Sequence, residues 1–344
     1  MKKLYEKDSE NYIRKFFKKN NWQPLDFQIE AWDSYSRGES GIIQVPTGCG
    51  KTYAALMGPL LKLKEQNFSK GINILLVTPL KALSRDLKKS IINAIQFFDA
   101  NISVGIRNGD TSNYEKRKQI IKPPNILITT PESLTLLIAN KEANKLFTNL
   151  FSIIIDEWHE LMGCKRGNQC ELALSWLRGN NQNIQIWAMS ATIGNIEEAA
   201  SSILGLNYKQ PKIIKSNIVK SIEIKSVIPD KIGTFPWSGH LGIKSHKSLI
   251  KEIDKSKSTL IFTNTRNQSE RWFQCLRYFN PEMEDNIALH HGSLDKEDRK
   301  LVEEGVKEGS IKWVVCTSSL DLGVDFQPVD QIVQIGSAKN IGRL

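Results

Sequence analysis

Two short stretches carry the residue types that handle a phosphoanhydride. In Pro46-Thr47-Gly48-Cys49-Gly50-Lys51-Thr52, glycines allow backbone N–H groups to close around phosphate oxygens. A lysine can then reach the terminal phosphates, and the hydroxyl after it can serve Mg²⁺. Val45 stands where this loop usually begins with a small residue, so the pattern is complete from Gly50 onward. Far downstream, Asp156-Glu157-Trp158-His159 follows the apolar run Phe151 to Ile155. Carboxylates at the carboxyl end of a parallel strand are where ligands of open α/β sheets bind. Asp156 is expected to hold Mg²⁺ through its water shell, Glu157 to orient and deprotonate the attacking water, and His159 to relay the nucleotide state.

These residues need a scaffold, and the surrounding pattern supplies one. Short apolar runs at Gly41 to Val45, Ile72 to Thr78, Ile126 to Thr129, Phe151 to Ile155 and Ile184 to Met189 alternate with amphipathic segments. That alternation predicts strands and crossover helices of a parallel sheet. The glycine-rich loop falls between a strand and a predicted helix, Tyr53 to Leu63. Upstream, Tyr12, Ile13, Phe16 and Phe17 share one helical face between lysines, as in a helix packed on the domain edge. A second series, Thr259 to Phe262, Ile287 to Leu289, Lys312 to Cys316 and Gln331 to Ile335, predicts a second α/β domain. Between them, Tyr208 to Lys231 holds six lysines against two acids and reads as a basic connection. The resulting division is residues 1–207, 208–250 and 251–344.

The length of 344 residues fits two domains. A charge of +10, from 47 basic against 37 acidic side chains, favours a polyanionic partner. No apolar stretch approaches the roughly 20 residues that cross a bilayer. The N-terminus lacks the apolar core of a signal peptide, so a cytoplasmic location is expected. The five cysteines have no paired short spacing, which fits reduced thiols better than disulfides or zinc.

With Lys51 and Asp156-Glu157-Trp158-His159 placed, the chain resembles the superfamily 2 helicases, with their motifs in order along nearly its whole length. Phe27-Gln28 resembles the Q-motif, where Gln28 would read the adenine edge and Trp22 pack nearby. Thr47, Gly48, Cys49, Gly50, Lys51 and Thr52 would bind ATP. Thr78-Pro79-Leu80-Lys81-Ala82-Leu83 resembles motif Ia, Gly109-Asp110 motif Ib, and Thr129-Thr130-Pro131-Glu132-Ser133-Leu134 motif Ic. In the family these grip the phosphodiester track, which implies nucleic-acid contacts at Thr78, Lys81, Arg85, Gly109, Thr129 and Thr130. Ser190-Ala191-Thr192 resembles motif III, with Ser190 and Thr192 coupling hydrolysis to the strand. In the second domain, Thr263 and Arg266 lie in a motif IV-like segment and His291 in the segment His290-His291-Gly292-Ser293-Leu294. Thr317 begins a motif V-like run in which Thr317 would touch phosphate, while Gly323 and Asp325 would face the nucleotide.

The finer resemblance is to the large helicase-related proteins, and among them to bacterial ligase-associated DExH helicases. Asp156 to Gly167, Ser190 to Asn195 and Phe235 to Gly242 carry it. It implies an α/β fold of two tandem RecA-like P-loop domains with parallel central sheets. It also implies ATP and Mg²⁺, 3′-to-5′ translocation on single-stranded DNA, and a repair setting beside a DNA ligase and a nuclease. The family continues into an arginine-bearing motif VI, whereas this sequence ends at Gly342-Arg343-Leu344, so the second domain is expected to be C-terminally incomplete and hydrolysis impaired. Two alternatives stay open: an RNA helicase with the same chemistry, and a nucleotide-gated clamp without turnover.

Overall fold

The computed structural model describes residues 9–66, 70–97, 102–205, 208, 210–216, 218, 222–227, 243–253, 257–317, 320 and 329–336. They divide into two compact units, Met1–Val219 and Lys220–Leu344.

The first unit is built on seven strands: β1 Gly41–Gln44, β2 Ile74–Val77, β3 Val104–Arg107, β4 Ile126–Thr129, β5 Ser152–Ile155, β6 Gln185–Ser190 and β7 Lys212–Lys215. They lie in the order β3-β4-β2-β5-β6-β1-β7, and every pairing is parallel. Parallel strands need crossovers, and helices therefore cover both faces. Alternate side chains feed two separate cores. Ile74, Leu76, Ile126, Ile154 and Trp187 pack with Phe16, Phe17, Leu56 and Leu60 on one face. Leu75, Val77, Leu127, Ile153 and Ile155 pack with Trp158, Leu174 and Leu177 on the other. Because all strands run the same way, the loops leaving β1, β2, β3, β4, β5 and β6 emerge on one edge, and that edge carries the site.

Two strands depart from the sequence reading. The Val-Gly-Ile-Arg segment of β3 is a half-buried edge strand with no continuous apolar run. Strand β7 lies inside the stretch expected to be a connection. Ile214 is fully buried against β1, and Lys212 forms an ion pair with Glu30 at 2.6 Å. Lysines flanking an edge strand protect it from pairing with other chains, and here they disguised it as a linker.

The second unit holds β8 Thr259–Phe262, β9 Ile287–His290, β10 Trp313–Cys316 and β11 Gln331–Gln334, all parallel in the order β11-β8-β10-β9. Ile261, Trp272, Leu276 and Trp313 form one core, and Leu260, Val306, Val314 and Cys316 the other. Phe235 to Gly242 lies outside the described residues, as do Gly323 and Asp325.

Candidate active site

The glycine-rich loop leaves β1 and turns into the helix Lys51–Glu65. Gly48 and Gly50 take φ values of +80° and +82°, a region that side-chain-bearing residues rarely adopt, so both are required for the loop's turn. Lys51 opens the helix and is only 6% exposed. Among the described residues its Nζ donates no hydrogen bond, and the Glu157 Oε1 lies 3.6 Å away. Such a buried ammonium is suited to an anionic ligand. Thr52 follows, half-buried at the helix start, while Thr47 is exposed and Cys49 half-buried in the loop.

Gln28 supports this loop from the helix Asp26–Ser36. Its Nε2 donates to the Gly50 carbonyl at 3.0 Å, and its Oε1 accepts from the Leu25 N–H at 3.0 Å. The amide thus steadies the loop and the helix cap with one bond at each of its polar atoms, out of the two donors and two lone pairs that it carries. Trp22 packs beside Tyr53 at 5.6 Å between ring centroids, and the Trp32 indole donates to the Tyr53 carbonyl at 3.0 Å.

Strand β6 separates β1 from β5, so the loop faces the Asp156-Glu157-Trp158-His159 turn across one strand. Asp156 is buried, and burial first, then the adjoining Glu157 carboxylate, push its carboxyl up to about 7. Its Oδ1 accepts from the Glu157 N–H at 3.0 Å. A buried acid beside a second carboxylate is the donor set a hard divalent cation would hold in its ionised form, so Asp156 and Thr52 fit Mg²⁺. Glu157 has φ +45°, a strained conformation for a residue with a side chain. It turns the carboxylate back toward Lys51 and places the other oxygen, Oε2, 3.5 Å from His159 Nδ1. His159 Nδ1 also pairs with Ser190 Oγ at 2.9 Å, and that hydroxyl lies 3.4 Å from the Thr192 carbonyl. The two segments expected to communicate are therefore in direct contact.

The remaining expected residues lie along the β2-β4-β3 half of the edge or in the second unit. Lys81 and Arg85 are exposed on the helix Lys81–Ile95, and Lys81 Nζ pairs with Asp110 Oδ1 at 2.7 Å. Gly109 is exposed beside that pair, where an added Cβ would come within 2.8 Å of Lys81 Nζ. Thr78, Thr129 and Thr130 are buried. The Thr129 hydroxyl donates to the Arg107 carbonyl at 2.8 Å, and Thr130 Oγ1 lies 3.4 Å from Ser133 Oγ. In the second unit, Thr263 donates to the Cys316 carbonyl at 3.1 Å. His291 is buried, accepting from the Ser293 N–H at 3.3 Å with Nε2 3.4 Å from Glu270. The side chains of Thr129, Thr263 and His291 each make a hydrogen bond inside the fold at the strand ends where nucleic-acid contacts are expected. Arg266 is exposed at a helix start and Thr317 half-buried after β10.

Sequence reasoning assigned no role to Arg166. Its guanidinium bridges the Glu132 carboxylate and the Pro79 carbonyl. The sequence signal is the Lys165-Arg166-Gly167 run that follows Asp156-Glu157.

A glycine-rich loop with a buried lysine, facing a buried carboxylate pair on a parallel sheet, defines a P-loop nucleotide-binding domain. Residues 25–199 match the DEAD/DEAH box helicases and residues 244–344 the helicase conserved C-terminal domain. The chain belongs to the DEAD/DEAH box helicases of superfamily 2 and is Lhr-like within them. It is 36% identical to an ATP-dependent helicase Lhr-Core of Sulfolobus acidocaldarius, over 90% of this chain and 37% of that protein. It is 28% identical to the Lhr helicase/uracil glycosylase of Escherichia coli, over 93% of this chain and 25% of that one. The structure of Mycobacterium smegmatis helicase Lhr bound to ssDNA and AMP-PNP superposes with a TM-score of 0.77 and 29% identity, covering 95% of this chain and 43% of that one. The fold is accordingly two RecA-like domains. The chain spans 37% to 41% of the length of the Lhr-Core relatives it matches. No helix among the described residues is long and apolar enough to cross a membrane.

Proposed function

We propose that this chain is the motor core of a cytoplasmic ATP-dependent DNA helicase, moving 3′-to-5′ on single-stranded DNA in repair, in company with a DNA ligase and a nuclease. The observation that carries the hydrolytic part is the Lys51–Glu157 pair at 3.6 Å beside the buried Asp156. Lys51, Thr52 and the loop amides bind the phosphates of ATP and Gln28 reads its adenine edge, while Asp156 with Thr52 would hold Mg²⁺, which when bound would neutralise charge on the phosphate oxygens. Phosphate competes with Glu157 for Lys51. Drawn toward phosphate, Lys51 releases a carboxylate that can then accept a proton from the attacking water. Glu157 also neighbours His159, which is bonded to Ser190, so the release of that carboxylate is felt by the segment ending at Thr192. The strand is gripped by Lys81, Arg85 and Gly109 and at Thr78, Thr129 and Thr130 in the first unit, and by Thr263, Arg266, His291 and Thr317 in the second. Gly323 and Asp325 take their expected nucleotide roles. DNA is favoured over RNA because the Lhr structure at 29% identity is bound to ssDNA.

The test is ATP hydrolysis by the chain with single-stranded DNA, single-stranded RNA or neither, with Lys51→Ala as control. DNA-stimulated turnover that vanishes in Lys51→Ala is the expected result. Equal stimulation by RNA assigns the wrong sugar. Nucleotide-dependent DNA binding without turnover makes the chain a clamp.

A further inference from the structure

Lys165–Asn180 is the long helix that follows the Asp156-Glu157 turn, and Arg166 is its second residue. From there its guanidinium reaches two other segments of the sheet edge. Nε donates to Glu132 Oε1, Nη2 lies 3.4 Å from Glu132 Oε2, and Nη2 also donates to the Pro79 carbonyl. Pro79 leaves β2 in the motif Ia segment, two residues before Lys81. Glu132 sits in the first turn of the helix Pro131–Ile138, directly after Thr129-Thr130 at the end of β4. One planar group thus ties two strand-gripping segments to the segment that carries the hydrolytic acids. Only a guanidinium presents donors in a fork that can hold a carboxylate and a carbonyl together.

The surroundings of Arg166 are shaped for this placement. Gly167 lies so close to the end of the preceding turn that an added Cβ would stand 2.0 Å from the Leu161 carbonyl oxygen. Only glycine lets the helix begin there, and the beginning of the helix sets where Arg166 points. The helices Pro131–Ile138 and Lys165–Asn180 pack along each other, so a shift in one is passed to the other. Burial works against the charge on Glu132, yet the bond from Arg166, with help from its own backbone and Thr130, holds its carboxyl below the usual carboxylate range.

We infer that Arg166 is a positioning residue that couples the nucleotide site to the nucleic-acid grip: through Glu132 and Pro79 it makes the motif Ia and Ic segments move with the Asp156-Glu157 turn. The inference rests on the helicase reading but concerns linkage between two binding events, so it is tested without turnover. Coupling between sites typically amounts to about 5- to 150-fold in affinity, enough to read by titration.

Single-stranded DNA affinity is measured by fluorescence anisotropy with and without AMP-PNP and Mg²⁺, on the full chain and on Arg166→Gln, Arg166→Lys, Glu132→Gln and the double variant Arg166→Gln/Glu132→Gln. AMP-PNP affinity and melting temperature are recorded for each. In the unsubstituted chain the nucleotide changes DNA affinity at least about fivefold. Arg166→Gln and Glu132→Gln each cut that change to about twofold or less while AMP-PNP binds as before. The double variant is no worse than either single one, and Arg166→Lys, which keeps charge but loses the fork, fails to restore the effect. Two results overturn the inference: full linkage retained in both single neutral variants, or no linkage in the unsubstituted chain. Linkage without DNA-stimulated hydrolysis in the unsubstituted chain refutes the motor and leaves the Arg166 result standing by itself.

Discussion

Glu157 occupies a left-handed backbone conformation at φ +45°, and its carboxylate lies between Lys51 and His159. A non-glycine residue held there is costly, by about 1–3 kcal/mol, and persists only where the surroundings over-determine it. Replacing the acid by its amide keeps the shape and removes the base. Glu157→Gln should therefore bind ATP at least as tightly as before, since phosphate no longer competes with the carboxylate for Lys51, and lose about 10²- to 10⁴-fold in hydrolysis rate, measured as phosphate release at saturating DNA. Asp156 makes a different prediction. Burial, then Glu157, raise its carboxyl from an ordinary 3.8 to about 7. Between those values the folded chain keeps a proton that the unfolded chain has released. Stability from this group is therefore lost as pH rises through the window, and the full penalty persists above it. Asp156→Asn removes the penalty. Its nucleotide-free melting temperature in EDTA should exceed that of the unsubstituted chain at pH 8, by the equivalent of roughly 1–3 kcal/mol. The two should converge as pH falls toward 4, while ATP hydrolysis is abolished in the variant throughout. An unchanged melting temperature at pH 8 would contradict the buried-acid account.

At the scale of elements, β1 is both the strand that the nucleotide loop leaves and the partner of β7, and Gly41 lies where the two strands meet. A Cβ on Gly41 would stand 1.8 Å from the Lys212 carbonyl oxygen, a backbone atom that cannot swing away. Gly41→Ala should force β7 off the sheet and cost about 1–3 kcal/mol, read by denaturant midpoint, with hydrogen exchange appearing first at Ile213 and Ile214. This strand also shows why part of the fold was hidden. Ile-Leu-Leu-Val of β2 and Ser-Ile-Ile-Ile of β5 are buried on both faces and announce themselves as apolar runs. Lys-Ile-Ile-Lys of β7 and Val-Gly-Ile-Arg of β3 are at the sheet's edges, where charge and glycine are tolerated and the pattern fades. The site divides the same way. Lys51, Asp156 and Glu157 were legible because their chemistry depends on spacing from a strand end. The inward turn of Thr129, Thr263 and His291 was not, because whether a strand-end side chain faces the core or the edge depends on register and twist.

At the scale of the whole molecule, the charge of +10 becomes a claim about binding only where it is localised. Lys81 and Arg85 are exposed on the helix that starts at the carboxyl edge of the first sheet. Lys141 and Lys145 are also exposed but precede β5, at the sheet's opposite, amino end. If the strand lies along the carboxyl edge, only the first pair displaces counterions when DNA binds. For single strands each phosphate contact contributes about 0.7 to the slope of log affinity against log salt. Lys81→Ala/Arg85→Ala should thus flatten that slope by about 1.4 and weaken binding most at low salt. Lys141→Ala/Lys145→Ala removes the same net charge and should leave the slope unchanged. Anisotropy titrations of a labelled single strand across a series of salt concentrations separate the two cases. Equal flattening by both pairs would mean that DNA responds to overall charge and that the carboxyl edge is not its track.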